Sequence, residues 1–122
     1  MRILVTGSRN WVDEYTIKEQ LKTLWLKYKD THTDIVLVVG DCPTGVDKIA
    51  RECWEFQKLP VEVYRADWNK NGRAAGPIRN QEMVDSGADI GVAFILGESR
   101  GTRDCLRRAM KAEIPMIIFE RK

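Results

Sequence analysis

The stretch GESRGTRDC at residues 97–105 contains the residue types that hold a phosphate or a carboxylate. Its first seven residues include two glycines, two hydroxyl side chains and two arginines. Glycines let the backbone approach a ligand closely, and the N–H groups at a helix start attract anions. Ser99 and Thr102 supply hydroxyl donors, while Arg100 and Arg103 supply positive charge. The alternative is a plain turn in which Ser99 or Thr102 only caps a helix, because short glycine-rich motifs are unspecific.

Residues of the same types follow the first and second apolar runs of the chain, and others lie near the start of the third predicted helix. They are glycines that permit close backbone approach, arginines that can pair with an anion bidentately, and carboxylates that can accept from a ribose hydroxyl. The complete set of candidate ligand-binding residues is Gly7, Ser8, Arg9, Gly40, Asp41, Gly45, Asp47, Arg79, Asn80, Gly97, Ser99, Gly101 and Thr102.

Several of these candidates have a structural alternative. Asp41 could form an Asx turn, and a threonine three residues before Asp47 gives the spacing of a capping box. Arg79 lies in the first turn of a predicted helix, where a cation opposes the helix dipole unless an anion sits beside it. Trp11 and Trp68 lie in loops on the same edge and could stack on a base, although burial in the core is the commoner fate of tryptophan.

Alternating strands and helices must position these residues. Apolar runs predict strands at Ile3–Thr6, Ile35–Val39, Val61–Tyr64, Ile90–Leu96 and Ile114–Phe119. Periodicity predicts helices over residues 15–29, 45–57, 77–86 and 102–112, and residues 67–76 are expected to form an irregular loop. This alternation indicates a five-stranded parallel sheet with right-handed crossovers. In the order 3-2-1-4-5, the loops after strands one, two and four meet at the carboxyl edge, where such sheets bind ligands.

Four stretches together resemble the SLOG superfamily, and most closely its small YspA/YpsA-related branch. They are ILVTGSRNW, VVGDCPTGVDKIA, AAGPIRNQEMV and GESRGT, which occur in that order along nearly the whole chain. The resemblance implies a Rossmann-like α/β fold, a three-layer sandwich that binds a nucleotide or a nucleotide-derived ligand. It also makes a homodimer plausible, with a contribution from the aromatic-bearing first helix.

The better-known SLOG phosphoribohydrolases cleave the N-glycosidic bond of a nucleoside monophosphate, and they carry the motif PGGxGTxxE. Aligned on Gly101 and Thr102, that motif places its glutamate at Cys105. A cationic sugar transition state needs a carboxylate, which a neutral thiol does not replace. Glu98, Asp41 and Asp47 lie at the right edge to substitute for it, and Glu98 ranks first. The leading hypothesis is therefore a module that senses or sequesters a nucleotide; the alternatives are a hydrolase and an interaction protein that has lost its ligand.

Composition limits the remaining possibilities. The 122 residues are expected to form one domain, 1–122, and the net charge of +2 does not predict a nucleic-acid surface. No apolar run approaches a membrane span, and the first residues do not resemble a signal peptide. Three cysteines without CxxC spacing favour a reducing compartment, so a cytoplasmic location is expected. The single histidine, His32, has no metal-binding neighbour, and neither a metal nor a cofactor is expected.

Overall fold

A five-stranded parallel sheet forms the centre of the computed structural model, which describes residues 1–122. The strands are β1 (Arg2–Gly7), β2 (Val36–Gly40), β3 (Val61–Tyr64), β4 (Ile90–Leu96) and β5 (Met116–Arg121). Their order is β3-β2-β1-β4-β5, which confirms the predicted order. Val5 of the central strand pairs with Val39 on one side and Val92 on the other. The carboxyl ends of β1, β2 and β4 therefore lie side by side.

Helices cover both faces of this sheet. They are α1 (Glu14–Tyr28), α2 (Gly45–Phe56), α3 (Trp68–Asn71), α4 (Ala75–Asp85) and α5 (Arg100–Lys111). One core cluster packs α1 and α2 on the sheet through Ile17, Leu21 and Val46. A second cluster packs α4 and α5 on the opposite face through Met83 and Cys105. Because both faces are covered, the central strands are apolar along nearly their whole length.

Several predicted boundaries are wrong. The helices α4 and α5 begin two residues earlier than predicted, at Ala75 and Arg100, so that Arg79 lies in the second turn of its helix and not in the first. Residues 68–76 are helical rather than irregular, because the Asp67 side chain accepts from the Lys70 N–H at 3.0 Å and so starts α3. A 3₁₀ turn then leads directly into α4. The last strand begins at Met116 instead of Ile114. The Ile114 N–H donates to the Ala109 carbonyl at 3.0 Å, so this residue still belongs to the exit of α5.

The start of α2 packs unusually closely against the end of β1. A Cβ on Gly45 would lie 2.5 Å from the Arg9 carbonyl oxygen, and this glycine has a φ of +71°. A Cβ on Gly7 would overlap the side chain of Val46 in the first turn of α2. Both positions therefore need glycine, which brings the loops after β1 and β2 into direct contact.

Substitution of Gly45 by alanine should destabilise the fold more than the same change at Gly87. Gly87 also has a positive φ, +89°, but a Cβ there would meet nothing within 4 Å. Gly87→Ala should therefore cost only the left-handed strain, about 1–2 kcal/mol. Gly45→Ala should cost a further 1–3 kcal/mol, roughly, because a backbone carbonyl must move. Urea unfolding of both variants measures the difference, and equal losses would contradict the close approach.

Candidate functional site

A polar cavity of about 600 Å³ lies at the carboxyl edge of the sheet. Its walls come from the loops after β1, β2 and β4, from the first turns of α2 and α5, and from the second and third turns of α4. The lining residues are Thr6, Gly7, Ser8, Arg9, Asn10, Cys42, Asp47, Arg79, Asn80, Met83, Leu96, Gly97, Glu98, Ser99, Arg100, Gly101 and Thr102. The volume is in the range of ordinary small-molecule sites.

The start of α5 presents unpartnered backbone donors to this cavity. No protein group accepts from the N–H groups of Arg100, Gly101 or Thr102. Ser99 is the N-cap residue, yet its side chain makes no capping hydrogen bond. A serine at this position normally satisfies one of those N–H groups. The first turn of α5 is therefore left available to an external acceptor.

A chain of hydroxyl groups explains why Ser99 does not cap its own helix. The Ser8 hydroxyl accepts from the Leu96 N–H at 2.8 Å and donates to the Ser99 hydroxyl at 2.6 Å. The Ser99 hydroxyl in turn donates to the Thr102 hydroxyl at 2.8 Å. Ser99 also has left-handed backbone angles, φ 43° and ψ 62°, which cost a serine about 1–2 kcal/mol. Backbone strain and the buried Ser8 hydroxyl together keep the N-terminus of α5 uncapped.

The N-terminus of α2 differs from that of α5. The Val46 N–H in its first turn donates to the Ser8 carbonyl at 3.2 Å. The Thr44 hydroxyl donates to the Arg9 carbonyl at 3.1 Å instead of capping the helix. The capping box that the spacing of Thr44 and Asp47 allowed as an alternative does not form. At the start of α2 the Val46 N–H is thus paired with the protein backbone, whereas the first three N–H groups of α5 have no protein acceptor.

Arg79 is fixed between two elements at the inner wall of the cavity. Its Nη1 donates to Asp41 Oδ1 at 2.8 Å, and its Nε donates to Asn80 Oδ1 at 3.0 Å. Both partners of the Arg79–Asp41 ion pair are largely buried, with side chains 15% and 24% exposed. Asp41 also accepts from the Ala66 N–H, so its carboxylate is directed at the protein. Arg79 Nη2 has no protein acceptor and is the part of the guanidinium left for a ligand.

Asn80 connects this arginine to α5. Its amide nitrogen donates to the Gly101 carbonyl at 3.2 Å and to Asp104 at 3.0 Å. Burial acts to raise the pKa of Asp104, but hydrogen bonds from Arg108 and Asn80 outweigh it and hold that pKa below its ordinary value. With both ends of its amide engaged, Asn80 holds Arg79 and the first turn of α5 in a fixed relation.

Asp47 is a buried carboxylate at the cavity wall. The residue is 7% exposed, and Oδ2 accepts from the Cys42 N–H at 3.2 Å. Oδ1 has no protein donor, although it is not fully enclosed. Burial raises the pKa of Asp47 from 3.8 to about 6, against the opposing effects of Arg79, the Cys42 N–H and Arg51. Buried carboxylates with a raised pKa are frequent in functional sites.

Of the other residues that the sequence singled out after β4, only Glu98 and Arg100 line the cavity. Glu98 and Arg100 line the rim, where their side chains are 84% and 90% exposed and 4.0 Å apart. Arg103 does not reach the cavity, because its guanidinium donates to the Gly97 and Glu98 carbonyls and so holds the loop. Cys105 is buried under α5, and burial raises the pKa of its thiol to about 11. It stays neutral and replaces no carboxylate.

Most of the predicted site residues meet at this cavity. Ten of the candidates line it, whereas Gly40, Asp41 and Gly45 lie behind it. A Cβ on Gly40 would lie 2.7 Å from Arg79 Nη1 and 2.8 Å from Asp47 Oδ2, so this glycine makes room for both side chains. Glu98 and Arg100, which the sequence also singled out, line it as well. Five further lining residues were not predicted, and most of them are chain neighbours of predicted ones: Thr6, Asn10, Cys42, Met83 and Leu96.

A second groove, of about 630 Å³, lies between α1 and α2. Trp25, Ile49 and Phe56 contribute to its largely apolar surface. It contains none of the predicted ligand-binding residues. No group of three His, Cys, Asp or Glu side chains is arranged to hold a metal ion. None of the helices is both long and apolar enough to cross a membrane.

A parallel sheet in the order β3-β2-β1-β4-β5, with a polar cavity at its carboxyl edge, defines a Rossmann-like α/β protein. The chain belongs to the YspA, cpYpsA-related SLOG family, whose model matches residues 1–71. It is 42% identical over 123 residues to the gene 61 protein of Mycobacterium phage D29, an alignment that covers 97% of this chain and 95% of that protein. Arg79 and the loop before α5 lie beyond the residues that the family model matches.

Replacement of Asp47 by asparagine should stabilise the protein at neutral pH. The folded-state pKa of about 6 lies above the ordinary value of 3.8, so the folded protein binds more protons than the unfolded chain between these values. The contribution of Asp47 to stability is therefore present below about pH 4 and is lost as the pH rises through about 6. Asp47→Asn should raise the free energy of unfolding at pH 7 by roughly 1–3 kcal/mol.

Denaturant unfolding between pH 3.5 and about 8 checks this, with the wild-type curve subtracted from that of the variant. The difference should grow with pH through this window and then level off. Glu98→Gln is the matched control, because its carboxylate is exposed, and its difference should stay near zero. A difference for Asp47→Asn that does not change with pH would contradict the raised pKa.

Proposed function

We propose that this protein binds a nucleotide or a nucleotide-derived ligand, with its phosphate at the start of α5, and thereby senses or sequesters it. One observation carries the proposal: the N–H groups of Arg100, Gly101 and Thr102 have no protein acceptor and border a polar cavity. A phosphate can accept from these donors and interacts favourably with the positive end of the helix dipole.

Three cations at two depths of the cavity support an anionic ligand. Arg9 and Arg100 are exposed at the rim, and Arg79 lies at the inner wall. The contact of Arg100 with Glu98 is long and solvated, so little free energy is lost if Arg100 turns to a phosphate. Arg79 is already held by Asp41 and Asn80, which lowers the entropy lost when its free Nη2 binds.

Membership of the SLOG family supports a nucleotide-related ligand, as the resemblance of the four motifs implies. The family model covers the loops after β1 and β2, which form one side of the cavity. The unpartnered N–H groups on the opposite side come from the part of the chain after the matched residues. The two halves of the site therefore provide independent support for the same kind of ligand.

Substitution of Gly101 by glutamate should abolish binding without unfolding the protein. A Cβ on Gly101 meets nothing within 4 Å, so the side chain has space at the cavity opening. A carboxylate in the first turn of a helix stabilises the helix by about 0.3–1 kcal/mol, but it repels a phosphate. Thermal shift with a panel of nucleotides measures binding, since a ligand at 100 times its Kd adds about 2.7 kcal/mol.

Two control variants separate charge from shape. Gly101→Ala adds a side chain at the same position and should keep binding within a few-fold. Thr31→Glu adds the same charge at an exposed position in another part of the molecule and should bind like the wild type. Unchanged affinity in Gly101→Glu would exclude the start of α5 as the phosphate site.

A second candidate function is hydrolysis of the N-glycosidic bond of a nucleoside monophosphate. Asp47 favours it, because a buried carboxylate with a raised pKa lies at the cavity wall. It could stabilise the cationic sugar while water replaces the base, yielding free base and ribose 5-phosphate. Glu98 is less suited, since it is 84% exposed at the rim.

Chromatography of nucleotides incubated with the protein distinguishes the two functions. Recovery of the intact nucleotide indicates binding alone. If free base is released, Asp47→Asn should reduce the rate at least 100-fold, roughly, while Glu98→Gln should keep it. Full turnover in Asp47→Asn would exclude Asp47 as the catalytic carboxylate.

A further inference from the structure

We infer that the cavity recognises the sugar-phosphate part of its ligand and provides no binding surface for a base, with Asp47 accepting from a sugar hydroxyl. Ribose 5-phosphate should then bind about as well as a nucleoside monophosphate, and the four common bases should differ little. This inference rests on the proposed function, because it places the phosphate at the start of α5.

The chemistry of the cavity wall carries the inference. None of the lining residues is aromatic. The extended apolar side chains among them are Met83, which is buried, and Leu96, which is half-buried. Nucleobases are usually held by stacking on aromatic rings, worth about 1–3 kcal/mol per base in single-stranded nucleic-acid binding proteins. A volume of about 600 Å³ would admit a base, so the wall chemistry rather than the space argues against a base site.

The two tryptophans at this edge do not lie in the cavity. Trp11 is 2% exposed, packs edge-on against Phe94 with ring centroids 5.4 Å apart, and donates from Nε1 to the Asp13 carbonyl. Trp68 is 55% exposed but is not among the lining residues. The hypothesis that Trp11 stacks on a base therefore has no support, because its ring is buried in the core. Trp68 could stack on a base only outside the cavity.

The groups that remain at the inner wall are complementary to sugar hydroxyls. Asp47 Oδ1 is an acceptor without a protein donor, and Arg79 Nη2 is a donor without a protein acceptor. A hydroxyl both donates and accepts, so it can satisfy a group of either kind. Hydrogen bonds to charged groups are stronger than those between neutral groups. Because Asn80 fixes Arg79 relative to the first turn of α5, the phosphate donors and these two groups form one preorganised surface.

Titration calorimetry with the full chain tests the inference, using inorganic phosphate, ribose 5-phosphate and the monophosphates of adenosine, guanosine, cytidine and uridine. The expected result is that ribose 5-phosphate and all four nucleotides bind within about tenfold of one another, and each binds more tightly than inorganic phosphate. Nucleotide binding without ribose 5-phosphate binding would overturn the inference and leave the proposed function intact. Absence of binding by every probe would overturn both.

Two variants test the assigned contacts. Asp47→Asn should weaken ribose 5-phosphate about tenfold or more, while the affinity for inorganic phosphate should not fall, because a negative charge is removed from the cavity; unchanged affinity for ribose 5-phosphate would overturn the sugar contact. Trp68→Ala should leave every affinity unchanged. A loss of nucleotide affinity in Trp68→Ala, with ribose 5-phosphate unaffected, would show that the base stacks on that ring and would overturn the inference.

Discussion

Ser8 makes the set of hydrogen bonds on which the site depends. Its N–H donates to the Phe94 carbonyl at 3.0 Å, and its carbonyl accepts from Val46 and Trp11 at 3.2 Å each. Its hydroxyl joins the Leu96 N–H to the Ser99 hydroxyl. One buried residue therefore connects β1 to β4, to the start of α2 and to the loop before α5. An alanine would keep the backbone contacts but would leave the Leu96 N–H unsatisfied and Ser99 without its donor.

This arrangement makes the two helix starts at the carboxyl edge unequal. The glycines at positions 7 and 45 let α2 approach β1 so closely that the backbone of Ser8 and Arg9 meets its first turn. On the other side of β1, the Ser99 hydroxyl is held by Ser8 and does not turn back to α5. The first turn of α5 is thus left with three backbone N–H groups that have no protein acceptor, and it is there that we propose the phosphate binds.

The charged groups at the inner wall differ in how far hydrogen bonds and opposite charges compensate for their burial. The ion pair between Arg79 and Asp41 is largely buried, and each partner has a further hydrogen bond that helps to offset desolvation. Asp47 has less compensation, because its carboxylate accepts a hydrogen bond from only one protein N–H. Its pKa is accordingly raised to about 6. Burial of a carboxylate with a raised pKa opposes its ionisation at neutral pH, and functional sites retain such residues at some expense of stability.

The sequence by itself determined the alternation of strands and helices, the parallel sheet with helices on both faces and the edge at which the candidate residues meet; the order 3-2-1-4-5 was expected from the fold class and is established by the structure. Strand and helix periodicities are local, and parallel strands place their carboxyl ends at one edge whatever the side chains do. Only the tertiary structure decided that Arg79 pairs with Asp41, 38 residues away, that Arg103 holds its own loop, and that Ser99 leaves its helix uncapped. Those contacts depend on how the helices are rotated and how closely they approach the sheet, which long-range packing sets and no local pattern in the chain encodes.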